Sequence, residues 1–245
     1  MQGNSRVPSS AQSDIHEHLA LVVARHASTP FRKPYADYNR AAFAASFERY
    51  QRLAPGAPLI LDACCGVGES SLVLARAYPT HYVIGVDQSA ARLQRGQQGL
   101  PRERAEHGQG EPHEPQSPHD GPPARPANLD LVRADLVDYW RLLLDAGVRL
   151  DRHYLLYPNP WPKIGHLRRR WHGHPVFPAL LALGGVLECR SNWPIYIAEH
   201  ALAVEKLTGR AAPCEAYLPE QAMTPFERKY LESGHRLYRT VSDLA

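Results

Sequence analysis

The sequence LILDACCGVGE, from Leu59 to Glu69, decides the fold class. Its first residues are nearly all apolar, as in a strand that is buried on both faces. They lead into a turn with glycine at positions 66 and 68, and a helical stretch from Glu69 to Tyr78 follows. A strand, a glycine-rich turn and a helix in this order are typical of nucleotide-binding α/β folds. The glycines let a ligand approach the backbone, and the start of the helix supplies free N–H groups.

Short apolar strands and helical stretches continue to alternate along the chain. A helix is predicted over Ser89–Gln98, and others lie between the later strands. This alternation predicts an α/β protein with a doubly wound, mostly parallel sheet. The strands are predicted at residues 58–63, 81–86, 129–133, 150–157 and 185–189.

Two segments do not follow this alternation. Residues 1–54 are predicted to form an N-terminal helical extension, with helices over Gln12–Ala27 and Tyr38–Leu53, ahead of a catalytic domain over residues 55–245. Residues 100–126 are rich in proline and contain no aromatic residue and almost no aliphatic one. We therefore expect this stretch to be a disordered surface insertion. Its three histidines fit a flexible loop better than a metal site, and no metal ion is expected.

Composition narrows the class of protein. The chain has 245 residues, 44% hydrophobic and 22% charged, which suits a globular protein with a full core. It contains no apolar run of the roughly 20 residues that cross a membrane, and no signal peptide is recognisable. The four cysteines lack zinc-type spacing, which favours reduced thiols and a cytoplasmic location. The net charge of +3 is too small to indicate a nucleic-acid partner by itself, and a monomer is compatible with the sequence.

Carboxylates accompany the ends of three predicted strands. Asp62 lies in the first, Asp87 closes the second, and Asp135 follows the third. In a parallel sheet these ends meet at one edge, where nucleotides bind. A carboxylate about 20 residues beyond the glycine turn can bind a ribose diol. Each aspartate could instead cap a helix, but three at successive strand ends favour a ligand site.

The pattern fits both NAD(H) and S-adenosylmethionine. A P-loop is excluded because the turn lacks the Gly-Lys-Ser/Thr ending. The carboxylates favour S-adenosylmethionine, because its sulfonium and amino group attract negative charge whereas a pyrophosphate repels it. The predicted cofactor-binding residues are Asp62, Gly66, Gly68, Asp87 and Asp135.

A second motif, YPNPWPK, covers residues 157–163 at the end of the fourth predicted strand. Prolines on both sides of Asn159 restrict the backbone and so fix where its side chain points. Trp161 offers a face for base stacking, typically about 1–3 kcal/mol. The stretch Lys163–His174 then carries several cations, Arg168 and Arg169 among them, and no acid. It is suited to binding phosphates, although a solvated basic loop has the same composition.

The segment Tyr157–Arg170, YPNPWPKIGHLRRR, resembles the PDPWPKxRHxKRR signature of the bacterial tRNA (guanine-N7)-methyltransferases. The likeness continues through residues 175–200, which are similar to that family's run into its TDW strand end. It resumes at Thr224–Arg228 and Gly234–His235, similar to the family's TKFE…GH element. Together with the glycine turn and Asp87, the resemblance covers roughly residues 59–240 outside the proline-rich segment.

This resemblance implies a Rossmann-like class I methyltransferase that uses S-adenosylmethionine and acts on a guanine in the variable loop of tRNA. It places Asp62, Asp87 and Asp135 at the cofactor. Three positions depart from the family pattern: Asn159 replaces the aspartate of PDPWPK, Asn192 that of TDW, and Gly165 an arginine. Asn159 is the predicted catalytic residue, and the predicted substrate-binding residues are Trp161, Lys163, Arg168, Arg169, Asn192, Thr224 and Glu227.

Two alternatives remain open at this point. Asn159-Pro160-Trp161 is similar to the NPPY/NPPW element of amino-methyltransferases, in which an amide oxygen accepts a hydrogen bond from an exocyclic amino group. Methylation of guanine N2 or adenine N6 would follow from that resemblance. A catalytically inactive tRNA-binding protein would keep the basic loop, but it has no evident use for Gly66, Gly68 and Asp87.

Overall fold

The computed structural model describes residues 5–97 and 125–245. The predicted insertion at residues 100–126, with its three histidines, lies almost wholly outside these ranges. No helix in the described part of the chain is long and apolar enough to cross a membrane. The helices are α1 Leu19–Ser28, α2 Asp37–Leu53, α3 Glu69–Ala77, α4 Ala90–Gln97, α5 Leu136–Asp145, α6 Phe177–Ala182, α7 Pro194–Thr208 and α8 Pro225–Glu232.

The strands in the described residues are β1 Leu59–Ala63, β2 Tyr82–Asp87, β3 Leu129–Arg133, β4 Arg152–Leu156, β5 Val186–Ser191, β6 Cys214–Tyr217 and β7 Leu237–Asp243. They form one seven-stranded sheet in the order β3-β2-β1-β4-β5-β7-β6. Strands β1 to β5 run parallel, and β7 lies antiparallel to both β5 and β6. The predicted doubly wound, mostly parallel fold is therefore confirmed. Strands β6 and β7 were not predicted from the sequence.

Strand β1 lies at the centre, between β2 and β4, and its five residues are all buried. Alternate side chains point to opposite faces of a strand. Leu59 and Leu61 accordingly pack in the core cluster that contains Trp140 of α5, whereas Ile60 packs with Leu74 of α3 on the other face. Burial of each such side chain contributes about 1.5–3 kcal/mol. Because β2 and β3 lie on one side of β1 whereas β4 and β5 lie on the other, a crevice forms where the carboxyl end of β1 meets that of β4.

The first helix begins later than its apolar pattern predicts. The expected span was Gln12–Ala27, whereas α1 covers Leu19–Ser28. The preceding segment is held by contacts to α7: the Gln12 side chain and the His16 backbone N–H both donate to Glu199 Oε1, at 2.6 and 2.9 Å. A backbone bound in this way to another element does not need helical hydrogen bonds. Helix α1 itself packs against α7 in the main core.

Two histidines are buried without charge in this core. His153 accepts a hydrogen bond from the Trp140 indole at 3.1 Å, and His200 lies on α7. Burial lowers the pKa of each from its ordinary 6.5 to about 3. The unfolded chain therefore binds protons that the folded protein excludes. Stability is complete above pH 6.5 and is lost as the pH falls toward 3.

We expect the free energy of unfolding in urea to fall between pH 7 and pH 5 by about 2 kcal/mol for each of these imidazoles. In the double variant His153→Gln/His200→Gln this difference between the two pH values should shrink correspondingly. The variant His18→Gln, which alters an exposed histidine, should keep the wild-type pH dependence. An unchanged pH dependence in the double variant would contradict the assignment.

Candidate active site

A cleft of about 990 Å³ opens at the carboxyl ends of β1 to β4. It brings together the glycine turn and the proline motif, which are about ninety residues apart in the sequence. Both elements approach it from the two strands that border the central crevice, so the sheet topology is what joins them. Of the predicted site residues, the cleft is lined by Gly66, Asp87, Asp135, Asn159, Trp161, Arg168, Arg169 and Thr224.

The two glycines of the glycine turn have different surroundings: Gly66 faces open space, and Gly68 is tightly packed. Gly66 has a φ of +62°, and no heavy atom lies within 4 Å of the position that a Cβ would take. Gly68 has a φ of +81°, and a Cβ there would lie 2.8 Å from a methyl carbon of Leu131. Only glycine adopts these backbone angles freely. The first glycine therefore leaves space on the ligand side, and the second lets α3 pack against the sheet.

Asp87 connects the second strand to this turn. Its carboxylate accepts hydrogen bonds from the backbone N–H groups of Gly66, at 3.0 Å, and Ser89, at 2.7 Å. A guanidinium nitrogen of Arg92 lies 3.2 Å away. Since a carboxylate can accept about four hydrogen bonds, Asp87 retains acceptor capacity toward the cleft.

The other two predicted carboxylates are placed differently. Asp62 is fully buried, behind the cleft residue Ser70, and accepts hydrogen bonds from the hydroxyls of Ser70 and Ser71, both at 2.6 Å. Burial raises the pKa of Asp62 to about 6, although the two hydroxyls act in the opposite direction. Asp135 lines the cleft and also caps α5 by accepting from the N–H of Val137 at 2.9 Å. Asp135 is therefore both a helix cap and part of the cleft wall.

The proline motif forms a strained loop at the end of β4. Tyr157 and Trp161 have φ values of +51° and +46°, and residues other than glycine rarely adopt positive φ values. Asn159 is exposed, and its side-chain oxygen accepts the N–H of Trp161 at 3.2 Å. Because an N–H can only donate, the amide oxygen must face Trp161. The guanidinium of Arg169 lies 4.9 Å from the centre of the Trp161 ring.

The basic stretch separates into two groups. Arg168 and Arg169 are exposed and line the cleft, whereas Lys163 is exposed but does not line it. Arg170 and His172 are fully buried and donate to Glu199, with nitrogen–oxygen distances of 2.5 and 2.8 Å. The stretch was interpreted as suited to binding phosphates or as a solvated basic loop, and neither interpretation applies to these two buried residues. Their partner on α7 could not be located from the local sequence.

Glu227 is a buried structural carboxylate. It accepts from the hydroxyls of Tyr157 and Tyr217, each at 2.6 Å, and lies 3.1 Å from a guanidinium nitrogen of Arg190. Its backbone N–H donates to the Thr224 hydroxyl, which caps α8. The structure therefore places Thr224 in the cleft wall and Glu227 beneath it, where Glu227 supports Tyr157 and the strained loop.

Asn192 is also buried, beside the C-terminal helix. Its amide bonds His235 Nδ1 at 3.0 Å, and His235 Nε2 bonds the backbone oxygen of Ser5 at 3.1 Å. The His235 ring stacks on Tyr230, with ring centres 5.3 Å apart, and Tyr230 lines the cleft. The structure thus connects Asn192 to the cleft through His235 and Tyr230.

The cleft also contains residues outside the predicted site set. One is His174, the last residue of the basic stretch, whose Nδ1 accepts the N–H of Val176 at 3.1 Å. Burial lowers its pKa to about 4, so the neutral ring carries its proton on Nε2. The local sequence does not show that these residues line the cleft, because loop and helix packing brings them there. They include Gln88, Arg92, Arg95, Trp171, Phe226 and Tyr230.

Known proteins share both the sequence pattern and the fold. The sequence model of a family described as putative methyltransferase matches residues 56–240. The tRNA (guanine-N(7)-)-methyltransferase of Leifsonia xyli is 30% identical over 191 residues, which cover 74% of each chain. The enzyme of the same name from Acinetobacter baylyi is 25% identical over 194 residues, covering 75% of this chain and 69% of its own.

Solved structures support the fold alone. The 16S rRNA methyltransferase KamB superposes with a TM-score of 0.53 and 15% identity, covering 86% of this chain and 94% of its own. An antibiotic-related methyltransferase gives a TM-score of 0.52 with 10% identity, covering 89% and 98%.

The match to the family extends over most of the chain and includes the glycine turn, the proline motif and α8. It confirms the prediction of a methyltransferase with S-adenosylmethionine as cofactor. The chain belongs to the methyltransferase family that contains the bacterial tRNA (guanine-N(7)-)-methyltransferases.

Proposed function

We propose that this protein transfers a methyl group to N7 of a guanine in the variable loop of tRNA. The observation that carries the proposal is the single cleft in which Gly66 and Asp87 face the Asn159–Trp161 loop. The relatives named above, which are tRNA (guanine-N(7)-)-methyltransferases, support the choice of substrate.

The residues at the glycine turn fit the cofactor. S-adenosylmethionine supplies a methyl group on a positively charged sulfur, next to a ribose and an amino acid. Asp87, with acceptor capacity remaining, would hold the ribose hydroxyls, and Gly66 would let the cofactor approach the backbone. Asp135 would contribute negative charge at the same wall. Asp62 has a buried Oδ1 with no hydrogen-bond partner among the described residues, so it would support the turn and add an acceptor behind Ser70.

Methylation of guanine N7 does not require a general base. N7 of guanine carries a lone pair and no proton, so the chain has to align the base rather than deprotonate it. The ring of Trp161, with the Arg169 guanidinium close to it, would bind the base or its neighbour. Arg168 and Lys163 would contact phosphates, and Thr224 would border the base. Asn192 would act through His235 and Tyr230.

The relatives favour N7 over an exocyclic amino group. In the amino-methyltransferase interpretation, the oxygen of Asn159 accepts a hydrogen bond from the amino group being methylated. Here that oxygen accepts the N–H of Trp161 and so holds the strained Trp161 backbone, and its second lone pair stays available to a base. The other alternative from the sequence, a tRNA-binding protein without catalysis, would form no methylated nucleoside. An activity assay therefore distinguishes it from both methyltransferase interpretations.

The direct test is incubation of the protein with methyl-labelled S-adenosylmethionine and bulk tRNA that lacks N7-methylguanine, followed by mass spectrometry of the nucleosides. Label in N7-methylguanine supports the proposal. Label in N2-methylguanine or N6-methyladenine would support the amino-methyltransferase interpretation instead. Cofactor binding without label in any nucleoside would indicate an inactive homologue.

We expect Gly66→Ala to weaken S-adenosylmethionine binding by about tenfold or more, because a methyl group would occupy the space left for the cofactor. Gly147→Ala is the matched control: Gly147 has a φ of +70°, no atom lies near its Cβ position, and it is remote from the cleft. Both variants should lose about 1–2 kcal/mol of stability through backbone strain. Calorimetric titration measures the affinities, and equal affinities in the two variants would contradict the role of Gly66.

We also expect Asn159→Asp to raise kcat for N7-methylguanine formation by about tenfold, or about 1.4 kcal/mol. The carboxylate would still accept the Trp161 N–H and would add negative charge where the base becomes cationic. Asn159→Ala, which removes the acceptor, should lower kcat. Steady-state rates with saturating tRNA and S-adenosylmethionine measure both changes in kcat. A slower Asn159→Asp variant would show that charge at this position does not assist the transfer.

A further inference from the structure

A second, smaller pocket lies beside the cleft, between the end of α1 and the basic loop. Its volume is about 200 Å³, suited to a group of the size of a phosphate. Arg168 lines both this pocket and the cleft. Its residues are Arg25, His26, Thr29, Pro30, Phe31, Arg168 and Pro175.

The pocket has positive charge and no carboxylate. Arg25 comes from the last turn of α1, and Arg168 comes from the 3-10 helix Ile164–Arg169, so two separate elements contribute guanidinium groups. Within the described residues, neither arginine has a carboxylate within 4 Å. Their charges are therefore available to an anion.

His26 gives a second, independent indication. Its Nε2 is buried and has no hydrogen-bond partner among the described residues. Burial lowers the pKa of His26, a backbone contact to Gly173 acts in the opposite direction, and the neighbouring Arg168 and Arg25 lower the pKa further. A buried nitrogen without a partner costs free energy unless a ligand or water completes its hydrogen bonding. An anion in the pocket would accept a hydrogen bond from this nitrogen.

Helix stabilisation explains only part of this arrangement. Basic side chains in the last turn of a helix interact favourably with its C-terminal carbonyl groups, which accounts for Arg25 and His26. It does not account for Arg168, which belongs to another element, or for the unpartnered Nε2. Phe31, which also lines the pocket, packs edge-on against the cleft residue His174, with ring centres 5.7 Å apart. The pocket is therefore directly adjacent to the cleft.

We infer that the pocket formed by Arg25, His26 and Arg168 binds a backbone phosphate of the RNA, next to the nucleotide that enters the cleft. This inference rests on the proposed function for the identity of the RNA. Nothing covalent occurs in the pocket. The bound phosphate adds a fixed contact on the α1 side of the cleft. This contact sets the position of the RNA chain relative to Asn159.

The first test measures tRNA affinity as a function of salt for the wild type, Arg25→Ala and Arg76→Ala. Arg76 is the matched control, because it is an exposed arginine in the last turn of α3 and lines neither pocket. For Arg25→Ala we expect affinity to fall about three- to tenfold, and the slope of log affinity against log salt to decrease by about 1. Arg76→Ala should match the wild type. Equal behaviour of the two variants would overturn the inference.

The second test uses inorganic phosphate and observes the His26 ring by NMR. Added phosphate should raise the pKa of His26 by about 1 in the wild type and leave it unchanged in Arg25→Ala. The exposed His18 serves as the internal control. An unshifted His26 would overturn the phosphate site. A shifted His26 combined with unchanged tRNA affinity in Arg25→Ala would show a site for free anions only, which also overturns the inference.

These tests separate the pocket from the proposed function. If the wild type forms no N7-methylguanine but the Arg25→Ala salt slope still changes, the phosphate site stands and the proposed reaction fails. If methylation occurs with identical affinity and kinetics in Arg25→Ala and Arg76→Ala, the reaction stands and the pocket has no part in RNA binding.

Discussion

The buried carboxylate of Glu199 is the contact on which the arrangement around the cleft depends. It binds Arg170 and His172 from the basic loop and Gln12 and His16 from the N-terminal segment. Burial opposes its ionisation, but His172 and Arg170 lower the pKa of Glu199 to about 2. Its charge is thereby retained inside the protein. Buried charges are stable only when paired and fully hydrogen-bonded, so the loop and the N-terminal segment are held in one geometry.

That constraint makes the strained backbone at the cleft possible. Cys64, Tyr157 and Trp161 all have positive φ values, and all three line the cleft. Each costs on the order of 1–3 kcal/mol and persists only where its surroundings hold it. Tyr157 is held by Glu227 beneath it, and the Trp161 carbonyl accepts a hydrogen bond from the buried Arg170 at 3.2 Å. The two buried acids thus support the two strained residues of the proline motif, Glu227 at Tyr157 and Glu199, through Arg170, at Trp161.

The asparagine in the proline motif has a clear structural role in this setting. Its amide oxygen holds Trp161 through a two-residue turn, a role that an aspartate performs equally well. What the amide lacks is a negative charge beside a base that becomes cationic during methylation at N7. The substitution therefore preserves the geometry of the loop and changes its electrostatics. Asn192 likewise keeps a hydrogen bond to His235, from a buried position.

The sequence by itself determined the fold class, the glycine turn and the proline motif. Short apolar runs, a glycine-rich turn and prolines around Asn159 are local features of a few residues, and local patterns can be recognised without knowledge of packing. It also placed Gly66, Asp87 and Trp161 correctly at strand ends, because parallel strands bring those ends to one edge.

Tertiary structure alone decided which charges face the cleft. Arg168, Arg169 and Arg170 are consecutive, yet the first two are exposed and the third is fully buried against α7. Similarly, Glu227 lies beneath the cleft wall while the neighbouring Phe226 lines it. The start of α1 and the pocket at Arg25 also depend on partners more than a hundred residues away. Burial of a charged side chain depends on a distant counter-charge, and a linear sequence does not show which residues will meet.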